Sequence, residues 1–290
     1  MDQELFGITP PKKLFVKLAI PSLVSMLFSS IYMMADGMFV GKVIGSKALA
    51  AINLVFPIIM IVFAVGDMIA AGASVKIGIK LGEKKDEEAS NISGSIMAII
   101  TNGFLLYYGG PVGVAAYSIV MYIDALISPL LFGMISSIQP VISYNYGAKK
   151  YKRVTQFFKI TCIVGFTISI VTMIIIFIFP DFLVGLFSSK SDVDIIHMGK
   201  IALLLSAPSY LFTWFTMTVG SFLTGLEKAT ESIVIMLVES VILPLILIIV
   251  LTKMIGVLGI FMAPSIGGFI AVAIAFILWR KCVKEEFKIN

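Results

Sequence analysis

The sequence predicts an all-α, polytopic membrane bundle of about eight transmembrane helices, and three observations predict it. Of 290 residues, 59% are hydrophobic and only 13% charged, with a mean hydropathy of +1.05; a soluble globule needs more polar surface than that. Apolar stretches recur between short charged clusters, most of them near the roughly 20 residues a helix needs to cross a hydrocarbon core of about 30 Å. None has the short alternating pattern of a membrane barrel, and an open sheet would leave backbone hydrogen-bonding groups facing lipid.

With charged residues as boundaries, the spans run from Leu18 to Val40, Leu49 to Val75, Ile92 to Tyr108, Val112 to Val141, Ile160 to Pro180, Ile201 to Leu226, Ile233 to Leu251 and Ile255 to Trp279. Pro10, Pro11, Lys12 and Lys13 precede the first, and no small-residue cleavage site follows it, so an uncleaved start is expected. The third is the shortest and least apolar, carrying Ser93, Gly94, Ser95, Thr101, Asn102 and Gly103; at 1.5 Å per residue it makes roughly 25 Å of helix, marginal for the core. Pro57, Pro129, Pro208, Pro244 and Pro264 fall inside spans, where each ring removes one backbone hydrogen bond and favours a kink.

Basic residues gather on one side of an alternating path. Lys12, Lys13 and Lys17 precede the first span, Lys84 and Lys85 follow the second, Lys149, Lys150, Lys152 and Arg153 follow the fourth, and Arg280, Lys281, Lys284 and Lys288 follow the last. The positive-inside rule then places both termini in the cytoplasm, with the chain in the cell membrane. The net charge of +5 is spread over these clusters, which suits anionic lipid headgroups as partners and excludes a nucleic-acid face. Cys162 and Cys282 are too few and too far apart for a disulfide framework or zinc site. No phosphate-binding glycine loop, nucleophile triad or metal-ligand cluster occurs, so neither an enzyme, an ATP-driven pump nor a bound cofactor is expected.

Shifted by 65 residues, Gly45–Lys85 superposes on Gly110–Lys150 without a gap, with nine identities in 41 positions. The matches concentrate at the ends: Gly45, Ala50 and Ala51 meet Gly110, Ala115 and Ala116, and Gly82, Lys84 and Lys85 meet Gly147, Lys149 and Lys150. The two helix pairs run in the same direction, a parallel repeat of the kind that places a substrate site between two halves of a secondary transporter.

Asp36-Gly-Met-Phe-Val-Gly41, followed by Ala50-Ala51 and Gly82-Glu-Lys-Lys85, resembles the first two spans of the multidrug and toxic compound extrusion (MATE) family. Tyr108-Gly-Gly110, Val114-Ala-Ala-Tyr117, Gln139-Pro140 and Tyr144-Asn-Tyr-Gly-Ala-Lys-Lys150 resemble the start of its second lobe, and the remaining spans fit in order and spacing. The resemblance implies a secondary antiporter that exports lipophilic or cationic compounds in exchange for sodium ions or protons. That family has twelve spans in two six-helix lobes, so eight spans imply a partial N-terminal lobe, residues 1–88, joined to a complete C-terminal lobe, residues 89–290. The join is expected near Glu87 to Asn91, behind the acidic run Asp86-Glu87-Glu88. A non-transporting remnant or assembly partner is the alternative, and a lipid or glycan flippase is disfavoured by the motifs. A homo-oligomer would compensate for the shortened lobe.

Four acidic residues, Asp36, Asp67, Asp124 and Glu239, lie well inside the spans, where a lone carboxylate costs about 2.5 kcal/mol or more and is tolerated mainly against protein or water. Asp36 is a candidate for proton uptake or sodium coordination, and the resemblance implies ion coupling at this place in the first span. Under the repeat shift it falls on Thr101, beside Asn102, which either bonds substrate or joins two helices. Tyr117, Tyr122 and Asp124 would set a carboxylate near aromatic faces for a lipophilic cation. Glu239, shortly before Pro244, is either a second titratable group or part of a network with Ser240. No metal ligand set is firmly assigned; a sodium site would involve Asp36 or Asp124. The 22 Phe, nine Tyr and 16 Met residues either line an adaptable pocket or pack and face lipid. The small-residue spacings Gly66 to Gly72 and Gly256 to Gly268 read as close helix packing, and His197 as interfacial.

Overall fold

The computed structural model describes residues 8–45, 47–55, 86–188 and 192–287, with backbone alone over 86–100 and at 229. Every element among them is helical. Helix α1, Pro11–Phe39, runs through a π-helical turn, Val40–Ile44, to Gly45, and α2 covers 47–55. Then follow α3, Asp86–Gly147; α4, Tyr151–Ile178; the short α5, Pro180–Gly185; and α6, Val193–Ser206, which passes through a 3-10 turn, Ala207–Ser209, into α7, Tyr210–Gly225. Helix α8, Ala229–Leu237, continues through a second π turn, Val238–Ile242, into α9, Leu243–Ile255, and α10, Val257–Phe287, closes the order.

Six helical stretches among the described residues are long and apolar enough to cross a membrane: Pro11–Ile44, Thr101–Gly147, Tyr151–Ile178, Val193–Gly225, Thr230–Ile255 and Val257–Phe287. These carry the expected first and fifth to eighth spans, with the end of the third and the whole of the fourth inside the second stretch. Most of the expected second span, with Pro57, Asp67 and Gly66 to Gly72, lies outside the described residues. The expected boundaries were too tight, because helices continue past their charged residues. Lys12, Lys13 and Lys17 sit inside α1, Lys152, Arg153 and Lys159 inside α4, and Arg280, Lys281 and Lys284 inside α10, since long basic stems can lie along apolar surface while their heads stay wet.

The third and fourth expected spans form a hairpin. Gly110 breaks α3 with φ 59° and ψ −163°, a region nearly closed to any residue with a Cβ. A side chain at Gly113 would meet the Leu105 carbonyl at 3.5 Å, a contact that a straight helix cannot make across eight residues, about 12 Å of rise. The α9–α10 turn repeats this pattern. Gly256 has φ 64° and ψ −142°, and a Cβ at Gly259, again three residues on, would lie 2.6 Å from the carbonyl oxygen of Leu251, again five residues back. Gly45, the repeat partner of Gly110, also has a positive φ, 105°. The first helical half, 86–109, spans roughly 36 Å at 1.5 Å per residue, longer than expected because it begins at Asp86 and not at Ile92.

Glycine sets the closest contacts between helices. Gly37 of α1 lies against the Tyr122 ring, Gly133 of α3 against Met26 and Ser22, and Gly41 against the Phe187 carbonyl. One apolar cluster, toward the Gly110 and Gly256 turns, includes Leu49, Leu105, Ile119, Phe187, Leu203 and Phe261. The other, toward the opposite helix ends, includes Leu14, Phe15, Phe157, Phe222 and Cys282. Exposed apolar side chains such as Phe28, Ile163, Phe177, Ile246 and Ile277 face outward, as lipid contact requires.

The Tyr144–Lys150 motif is a joint at the end of α3. Asn145, fully buried, donates to the Val141 carbonyl and accepts from Arg153 Nε at 2.9 Å. The Tyr146 hydroxyl donates to Glu286, whose other oxygen pairs with Lys228 Nζ at 2.8 Å. Three helix ends are thereby tied together.

Candidate functional site

The helices enclose a cavity of about 330 Å³, and the sequence explains which residues reach it. On the second half of α3 its wall is Tyr117, Val120, Met121 and Asp124, the i, i+3, i+4, i+7 stripe of one helix face. Across the α6–α7 junction it is Ser206, Ser209, Tyr210 and Thr213, with the same spacing, and on α10 it is Ile260, Ala263, Pro264, Gly267 and Gly268. Asn53 of α2, Thr101 and Asn102 of α3, Glu239 in the π turn, and Pro244 and Ile248 of α9 are the other described residues of the wall.

Breaks in helical type cluster here. Pro208 lies in the 3-10 turn between α6 and α7, and Pro244 follows the π turn that carries Glu239. A π turn adds one residue to the helical period, so Glu239 and Pro244, five residues apart, both face the cavity. Pro129 and Pro264, by contrast, sit inside continuous helices.

Four of the five predicted site residues, Asn102, Tyr117, Asp124 and Glu239, line this one cavity. Asp124 accepts from Ser128 Oγ at 2.9 Å, and Tyr210 lies beside it in the wall. Glu239 accepts from Thr216 Oγ1 at 2.7 Å; this bond ties the π turn to α7. Tyr117 stacks on Phe261, ring centroids 6.3 Å apart. Asn102 donates to the Asn53 carbonyl at 2.9 Å, so it joins two helices and also faces the cavity. Among the described residues, no lysine or arginine lies in the wall. Two carboxylates beside Tyr117 and Tyr210, with no basic counter-charge among the described lining residues, suit a cation.

Asp36 does not join them. It sits on an exposed face of α1, outside the cavity wall. Tyr122 is also elsewhere, packed on Gly37 and stacked with Phe187 at 5.5 Å; five residues after Tyr117, it points about 140° around the helix. No cluster of three or more potential metal ligands occurs among the described residues. His197 is exposed near the Asp181–Lys200 pair. Gly259, Gly267 and Gly268 pack against Leu251, Leu247 and Phe212.

Sequence reasoning missed Tyr210, Ser206, Ser209 and Thr213, although their helical spacing within an apolar span was visible. It also missed Asn53, an amide in an apolar run.

A family model described as MatE matches residues 21–98 and, a second time, residues 89–250. The chain belongs to the MatE family. Its members are transporters, and this MatE chain is a multi-pass membrane protein. It is 26% identical over 225 residues to the multidrug export protein MepA of Staphylococcus aureus strain MSSA476, covering 70% of this chain and 48% of MepA. The strain N315 form is 25% identical with the same coverage. The chain thus spans about half the length of the curated relatives it matches.

Among solved structures, the MatE chain is similar to a multidrug resistance MATE family transporter of the MOP superfamily. The outward-facing form gives a TM-score of 0.65 at 19% identity, covering 70% of this chain and 45% of that one. The inward-facing form gives 0.64 at 20% identity, covering 70% and 47%. A MATE structure in complex with MaL6 gives 0.78 at 15% identity, with both chains fully covered. Likeness at such identities establishes a shared fold.

Proposed function

We propose that this chain binds lipophilic organic cations in the cavity between Asp124 and Glu239 and exports them as a secondary antiporter in exchange for sodium ions or protons. One observation carries this reading: four residues chosen from the sequence for cation or substrate chemistry line a single cavity whose described wall has no basic side chain. The carboxylates supply the charge, and the faces of Tyr117 and Tyr210 supply contacts that tolerate varied apolar cations. Membership of the MatE family and similarity to MepA support multidrug export as the activity.

In this reading residues 1–88 are a partial first lobe and 89–290 the second. The same family model matching twice, with the matches meeting at 89–98, supports that division. Both termini face the cytoplasm and the protein sits in the cell membrane, supported by the basic helix ends.

The test is gradient-driven transport of a fluorescent organic cation in proteoliposomes, under a sodium gradient and, separately, a proton gradient. Transport by the unaltered chain under one gradient, abolished in Asp124→Asn and reduced in Glu239→Gln, is the expected result. The exposure of Asp36 outside the cavity favours a second reading, a cation-binding remnant that does not transport. Binding without transport under either gradient would select it, and absence of binding would reject both.

A further inference from the structure

The buried apolar core of the described residues divides in two at the level of the cavity. The cluster on the side of the Gly110 and Gly256 turns, the turn half, reaches Ile127 in α3, Tyr210 in α7, Ile248 in α9 and Ala263 in α10. The cluster on the side of the Glu286 joint, the joint half, takes over at Leu131 in α3, Val219 in α7, Ile235 in α8 and Ala275 in α10. Helix breaks lie at or beside this division: the 3-10 turn Ala207–Ser209 ends just before Tyr210, the π turn Val238–Ile242 and Pro244 fall between Ile235 and Ile248, and Pro264, Gly267 and Gly268 fall between Ala263 and Ala275. Each half is also cross-tied within itself. In the turn half Ser206 Oγ donates to the Phe261 carbonyl at 3.1 Å; in the joint half Ser232 Oγ donates to the Gly220 carbonyl at 2.9 Å and Ser221 Oγ to Gln139 Oε1 at 3.2 Å. Close-packed clusters keep their shape, whereas 3-10, π and proline breaks are where helices bend.

We infer that the cavity opens by a hinge across the bundle: α6, α9 and the start of α10 tilt as one body on α7, α8 and the end of α10, bending together at the 3-10 turn, the π turn and the Pro264–Gly268 stretch. Helix α3 runs through both halves, unbroken at Pro129 between Ile127 and Leu131, and is the spine of the movement. The hinge and the site coincide, since Ser209, Glu239, Pro244, Pro264 and Gly267 line the cavity. A tilt at these breaks therefore reshapes the wall while each apolar cluster stays packed. The rival motion, the α9–α10 hairpin swinging away from α3, would instead part Val257 from Gly109 and split the turn half.

Three glycines allow the two motions to be told apart by disulfides. A Cβ at Gly268 would lie 3.0 Å from that of Phe212, at the hinge; one at Gly109 would lie 3.5 Å from that of Val257, within the turn half; and one at Gly225 would lie 3.3 Å from that of Ile142, within the joint half. All are near the roughly 3.8 Å a disulfide spans. The cysteine pairs Phe212→Cys with Gly268→Cys, Gly109→Cys with Val257→Cys, and Ile142→Cys with Gly225→Cys are made in the full chain carrying Cys162→Ser and Cys282→Ala. Amide hydrogen exchange of each, oxidised and reduced, is followed by mass spectrometry in detergent. Oxidation of the hinge pair should slow exchange by about tenfold at all three breaks, including the π turn that it does not touch, while the two pairs within a half leave the breaks unchanged. A π turn indifferent to the hinge disulfide, or equal slowing by the Gly109–Val257 disulfide, would overturn the hinge. Should the hinge pair not fold, the unaltered chain decides: the three breaks show one common protection as denaturant rises, and unequal protection would overturn it. No ligand enters these measurements, so failure of the hinge and failure of the cation reading are separately visible.

Discussion

At the scale of single residues, the cavity depends on acids held in place by hydroxyls. Asp124 accepts from Ser128, so Asp124→Asn removes the charge while an amide oxygen can still accept that bond. Affinity for benzyltrimethylammonium should fall at least tenfold, about 1.4 kcal/mol, with the melting temperature nearly unchanged; calorimetry and thermal unfolding check the two halves. Thr216→Val deletes the donor to Glu239 and should lower stability by about 1 kcal/mol, seen as a lower melting midpoint in detergent. Legibility also differs residue by residue. Tyr117 and Asp124, seven apart, share a face by helical arithmetic, and that part of the site could be read directly. The same arithmetic excludes Tyr122. Asp36 was placed by its depth along the first span, but depth does not fix azimuth, and α1 is oriented by Gly37 and Gly41 seating against Tyr122 and Phe187.

At the scale of elements, apolar length announced the long helices but not the short α5, and the ends were misjudged wherever lysine and arginine continue the helix into the interface. The breaks within spans were partly legible: Pro208 and Pro244 mark the 3-10 and π turns, yet Pro129 and Pro264 leave their helices continuous. No proline count distinguishes these, because the outcome depends on which neighbouring groups take up the freed carbonyl. Glycine position was more telling. Gly110 and Gly256 occupy backbone geometry that L-residues avoid, so Gly110→Ala and Gly256→Ala should each cost about 1–3 kcal/mol. Gly103→Ala, where a Cβ would meet open space, should be neutral or slightly stabilising. Thermal unfolding of the three variants side by side checks the contrast.

At the scale of the whole molecule, the ends of α3, α7 and α10 converge on Glu286, which accepts from Tyr146 and pairs with Lys228. Hydrogen bonding to Glu286 raises the Lys228 ammonium above its ordinary 10.5. A raised value in the folded state means that, while Glu286 is ionised, the pair contributes its full stability below the ordinary lysine value and loses it as pH climbs through the raised one. The unaltered chain should therefore lose stability above about pH 10 more steeply than Glu286→Gln, and melting curves of the two proteins from neutral pH into that alkaline range decide it. What the sequence alone could not convey at this scale is how α1 and α2 dock. Their partners, Tyr122, Phe187 and Asn102, are distant in the chain and carry no pattern that names them.

The two glycine hairpins carry a mechanical consequence. Each joins a pair of helices whose members both contribute to the cavity, and each reverses direction in so few residues that there is no slack to feed into the mouth. A change in the width of the binding space must then come from flexing along the helices, at the 3-10 turn beside Tyr210 or the π turn that holds Glu239, and such a bend would move the ligand's own contacts at the moment the space opens.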